Sequence, residues 1–180
     1  MARASRRPGA PPPAGPALTH LDGSGAARMV DVGPKPVTHR VARAQARVRL
    51  SPAALAALAG RDTPKGDALA VARLAGIQAA KRTAEWIPLC HPLALEHVAV
   101  EIGVDARAEV VTIVATVRAR ARTGVEMEAL VAAAAAALAL YDMLKAVDRA
   151  LVIEEILVLE KRGGKSGPFR HPRAGGADSK

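Results

Sequence analysis

A 180-residue chain that is half hydrophobic yet has only one Phe, one Tyr and one Trp must build its core from Ala, Val, Leu and Ile. That composition excludes a disordered chain and suits one domain with tails. The formal net charge of +9 resembles the footprint of a nucleic-acid binder, but +3 lies in residues 1–17 and +4 in residues 162–180, leaving +2 for residues 18–161. The domain itself therefore demands no nucleic-acid partner.

Cys90 is the only cysteine, so neither an intrachain disulfide nor a thiolate zinc cluster is expected. No apolar run approaches the roughly 20 residues that span a bilayer. The Arg/Pro-rich beginning lacks the apolar stretch of a secretory signal. The expectation is a cytoplasmic protein with no membrane partner. Residues 1–17 read as a disordered Ala/Pro/Arg-rich extension, 18–169 as the folded domain and 170–180 as a flexible tail.

From Ala42 to Leu50 the chain alternates, with Ala42, Ala44, Ala46, Val48 and Leu50 on one face and Arg43, Gln45, Arg47 and Arg49 on the other. That is the pattern of a half-buried strand. Ser51–Pro52 reads as a helix cap followed by proline at the first helical position, opening a short helix that Gly60 closes. A second helix fits Asp67 to about Thr83, stopped before Pro88. Two strands follow: Val98 to Val104 and Val111 to Val117, joined by a turn at Asp105–Ala108. An Ala-rich helix spans about Glu126 to Val147, and Leu151–Leu159 forms a last strand.

The order β, helical segment, β, β, α, β is that of an α+β, ferredoxin-like split βαβ sandwich. It predicts a four-stranded antiparallel sheet with helices on one face. The bare face would carry Arg, Thr and Val and offers a surface for self-association.

Three places carry candidate chemistry. Lys65, in Lys65–Gly66–Asp67, stands beside a helix N-terminus that favours anions, although a solvated lysine next to a capping aspartate is the commoner explanation. His91 sits between Pro88 and Pro92, whose rings stiffen the loop; it reads either as structural or as a phosphate or proton ligand. Cys90 beside it reads as an inert thiol. Asp142 and Lys145 are three apart on one helical face, forming an exposed ion pair or, in a cleft, a base with its cation. Gly163–Gly164–Lys165–Ser166 is no P-loop, because Leu159 stands where the first glycine belongs.

Taken together, several blocks resemble, in order, the signature blocks of the cyclic pyranopterin monophosphate synthase family of molybdenum-cofactor biosynthesis. They are Met29–Val32, Lys65–Asp67, Ala75–Thr83, Pro88–Leu93, Thr123–Leu130, Tyr141–Val147 and Gly163–Gly167, with Leu18–Thr19–His20 before them. The resemblance spans about residues 18–169.

It implies a lyase that turns a cyclised dihydroguanosine triphosphate into cyclic pyranopterin monophosphate and diphosphate. It implies Asp142 as the acid/base residue, assisted by Lys65 and Lys145. Leu89, Cys90 (through its backbone), His91, Met127 and Glu128 would bind substrate, with Glu126 in the same pocket and Arg40 and Lys161 near the phosphates. No cofactor or metal is implied. The family's homohexamer, a trimer of dimers with sites between subunits, is expected as the assembly. A ferredoxin-like RNA binder or a purely structural oligomer is the rival reading, but no predicted strand carries an aromatic residue for base stacking.

Overall fold

The computed structural model of the protein describes residues 25–60, 63 and 65–175. The expectations placed on Leu18–Thr19–His20, on residues 1–17 and on residues 176–180 lie outside these. The chain divides into two units, Met1–Val30 and Asp31–Lys180, and every element described below belongs to the second.

Five strands form one antiparallel sheet: β1 (Thr38–Arg49), β2 (His97–Asp105), β3 (Val110–Ala121), β4 (Val152–Arg162) and β5 (Phe169–Arg170), in the order β2-β3-β1-β4-β5. Four helices accompany them: α1 (Pro52–Gly60), α2 (Ala68–Ala80), α3 (Thr83–Trp86) and α4 (Glu126–Leu144). A 3₁₀ turn covers Pro172–Gly175.

The expected alternation decides which face is buried. In the β1–β3 ladder Ala42 pairs with Val117, Ala44 with Ala115, Ala46 with Ile113 and Val48 with Val111, and all eight are fully buried. Val98, Val100 and Ile102 of β2 extend this layer opposite Val117, Ala115 and Ile113. The other face is charged. Arg43 pairs with Glu160 at 3.7 Å, Arg47 with Glu154 at 3.6 Å and Gln45 donates to Glu155 at 3.1 Å.

Alanine lets the helices approach closely. Ala132, Ala133, Ala136 and Ala137 of α4 are fully buried. Gly76 of α2 lies so near that an added Cβ would stand 2.8 Å from the Ala132 carbonyl oxygen and 3.3 Å from the Ala136 methyl. Helix α4 is long and apolar enough, by length and composition, to cross a membrane, contrary to the expectation that no run approaches that length. In this fold its apolar face packs into the core.

The local signals for the first helix hold. Ser51 Oγ accepts the Ala54 amide at 3.3 Å, and Asp67 caps α2 by accepting the Ala70 amide at 3.0 Å. Two boundaries differ. The second helix stops at Ala80 rather than Thr83, because Thr83 opens the separate turn α3 and its hydroxyl bonds back to the Ala80 carbonyl at 3.0 Å. The sheet has five strands rather than four: Lys161 and Glu160 pair with Phe169 and Arg170. That pairing brings the one phenylalanine onto a strand, where no strand aromatic was expected.

Gly76→Val is expected to lower stability by about 2–3 kcal/mol through overpacking of the α2–α4 contact. Chemical denaturation checks this, and an unchanged midpoint would mean that the helices can separate without cost.

Candidate active site

The first cluster sits at the C-terminal end of α4. Lys65 lies in a turn that the Gly66 amide closes on the Thr63 carbonyl at 3.0 Å. Gly66 has φ +91, a left-handed conformation that glycine adopts freely. From this turn Lys65 Nζ reaches Asp142 Oδ2 at 2.6 Å, while Lys145 Nζ meets Asp142 Oδ1 at 2.8 Å. Each carboxylate oxygen thus has its own ammonium group.

The hydrogen bond from Lys145, and then that from Lys65, holds the Asp142 carboxyl down at about 2. This overcomes the negative end of the helix dipole, which disfavours a carboxylate in the last turn. The sequence spacing brought Lys145 to Asp142. The partnership with Lys65, 77 residues away, carries no local signal. Lys65 therefore joins Asp142 and Lys145 in one ion-paired cluster.

The second cluster gathers at the other end of α4. Lys161 on β4 places its ammonium 2.5 Å from Ser166 Oγ and 3.9 Å from Glu126 Oε1. Arg40 on β1 donates to the carbonyls of Ala121 and Arg122, both at 3.4 Å. Gly163 and Gly164, with φ +92 and +83, fold the following loop against this corner. A Cβ on either would collide with the His39 carbonyl or the Arg40 guanidinium. Ser166 was not among the expected residues; its position two residues past the glycine pair was the available hint.

Beside this corner, Glu128 is 3% exposed and forms no ion pair among the described residues. It faces a cleft of about 140 Å³ that Lys81, Arg82, Pro92 and Leu93 also line. Burial pushes its carboxyl up to about 7; its own backbone amide opposes the rise and Glu126 adds to it. Cys90 is half-buried, and its thiol is raised by burial and by the Glu128 charge, which suits an inert thiol. The Cys90 amide closes a turn on the Ile87 carbonyl at 3.0 Å. Leu89, His91 and Met127 are all half-buried.

The fold does not bring all these residues together in one chain. Glu126 and Asp142 belong to one continuous helix and are sixteen positions apart, about 24 Å at 1.5 Å per residue. Among the described residues no cluster of His, Cys, Asp and Glu has metal-ligand geometry.

Comparison with known proteins gives a consistent result. The model of the MoaC family matches residues 29–164. The cyclic pyranopterin monophosphate synthase of Herpetosiphon aurantiacus is 60% identical over 155 residues, covering 86% of this chain and 94% of the relative. That of Parvibaculum lavamentivorans is 55% identical over 153 residues, covering 85% and 96%. That of Streptomyces griseus is 56% identical over 162 residues, covering 90% of each.

Glu128 gives a test of the second cluster. Its folded pKa of about 7 lies above the unfolded value, so the native state binds the proton more tightly. Stability contributed by the protonated form is full at low pH and is lost as pH rises through 7. Glu128→Gln, a neutral isostere, is expected to be more stable than the parent at pH 8 by on the order of 1–2 kcal/mol. The difference should vanish near pH 4. Urea denaturation at both pH values decides, and a parent more stable than the variant at pH 8 would contradict the assignment.

Proposed function

The chain belongs to the MoaC family, and from that premise we propose that it is a lyase of molybdenum-cofactor biosynthesis. It converts a cyclised dihydroguanosine triphosphate to cyclic pyranopterin monophosphate and releases diphosphate. The observation that carries this reading beyond the relatives' names is the Asp142 carboxylate held between Lys65 and Lys145.

The reaction needs such a group. Forming a cyclic monophosphate from a triphosphate requires a hydroxyl of the same molecule to attack the α-phosphorus. The bond to the departing diphosphate breaks, its electron pair leaves with the diphosphate, and the hydroxyl proton needs an acceptor. Asp142 takes that proton. A carboxyl held near 2 is a weak base, but substrate phosphates compete for the two ammonium groups. As Lys65 and Lys145 turn to the phosphates, the carboxyl regains basicity and the lysines neutralise the leaving charge.

Arg40, Lys161 and His91 hold phosphate oxygens in this scheme. Leu89, the backbone of Cys90, Met127, Glu126 and Glu128 hold the ring system. No metal or cofactor enters any step.

The site is shared between copies of the chain in a homohexamer. What supports this is the length of α4, about 24 Å from Glu126 to Asp142. The strand order β4-β1-β3-β2, with helices between β1 and β2 and between β3 and β4, supports a ferredoxin-like classification. In that reading β5 is an added edge strand, and the enzyme is cytoplasmic.

Purified protein supplied with the cyclised dihydroguanosine triphosphate is expected to release diphosphate and the cyclic-phosphate pterin. Asp142→Asn is expected to lower kcat by at least about 10²-fold while folding and assembly stay intact. No turnover by the parent protein would refute the function, and a fully active Asp142→Asn would refute the role of Asp142.

A further inference from the structure

Both acid/base candidates sit where a helix is held least. Asp142 is in the last turn of α4 and Lys145 is its C-cap. The final carbonyls of a helix lack intrahelical partners, and helix ends fray. Here the end is restrained by groups to which the proposed chemistry gives no task.

The Tyr141 hydroxyl donates to the Arg149 carbonyl at 3.2 Å, drawing the connector between α4 and β4 back along the helix, while its ring packs against the core. The Leu144 carbonyl accepts the amides of Val147 at 2.8 Å and Asp148 at 3.0 Å. Asp148 Oδ1 accepts the Ala150 amide at 2.8 Å, and Ser51 lies near enough to help stabilise its charge. Ser51 is the residue that caps α1. The Ala150 amide first, and then the Ser51 hydroxyl, keep the Asp148 carboxyl below the usual range.

We propose that Tyr141 and Asp148 are positioning residues. They clamp the last turn of α4 to its connector, and so hold Asp142 and Lys145 at their 2.8 Å contact and within reach of Lys65. Neither touches substrate. The clamp fixes the reacting groups against the fraying that a solvated helix end undergoes. The proposal rests on the assignment of Asp142 as the acid/base residue.

Tyr141→Phe removes the hydroxyl and leaves the ring. It is expected to lower kcat about tenfold while KM stays within about twofold. The Asp142 carboxyl, followed by NMR titration, should move up from about 2 as its lysine contacts loosen. Asp148→Ala should act in the same direction, and Asp148→Asn, which keeps an acceptor oxygen, should recover most of the rate. Unchanged kcat and unchanged titration in Tyr141→Phe and Asp148→Ala would overturn the clamp, as would a loss confined to KM. Full activity in Asp142→Asn would instead refute the acid/base assignment, and the Asp142 titration in Tyr141→Phe would still decide the clamp.

Discussion

Helix α4 sets the distance between the two charged clusters, and the chemistry has to conform to it. Its alanines pack into the core with nothing longer than a methyl group between backbone and neighbours. A helix held this closely has little freedom to bend or unwind. Glu126 and Asp142 are therefore kept about 24 Å apart, whereas proton transfer and phosphate binding act over about 3 Å. On the proposed function, one copy of the chain would offer only half of the site at each end of the helix. A second copy, meeting the first across a symmetry axis, is the economical way to join them.

The two ends of the helix also hold their carboxylates in opposite ways. Glu128 lies in the first turn, where the helix dipole favours negative charge, yet burial raises it to about 7. Asp142 lies in the last turn, where the dipole opposes negative charge, yet two lysines hold it at about 2. In each case the immediate surroundings outweigh the helix. The result is one carboxyl close to changing protonation at neutral pH and one firmly ionised between two ammonium groups.

Much of this could be read from the sequence, because it rests on local rules. The Ala42–Leu50 alternation fixed the buried face of β1, Ser51 and Asp67 announced their helices, and the three-residue spacing joined Asp142 to Lys145. What could not be read depends on the folded chain. The Lys65–Asp142 contact requires the turn before α2 to meet the end of α4, and no local pattern encodes that meeting. The short strand β5 has only two residues, too few for any periodicity. The end of α2 was misplaced because Thr83 continues the helical composition while its hydroxyl bonds back to the preceding turn. The ordered family blocks named residues at both ends of α4, but not the fact that one chain holds them apart.

Mixed assembly tests this division most directly. Asp142→Asn disables one end of α4, and Arg40→Ala combined with Lys161→Ala disables the other. Each inactive variant is co-expressed with the other and purified as a mixed oligomer. A site built between copies predicts that activity returns in the mixture, because some interfaces then pair two unaltered halves. A mixture as inactive as either variant alone would contradict the shared site and require one chain to bring both ends of α4 to a single substrate.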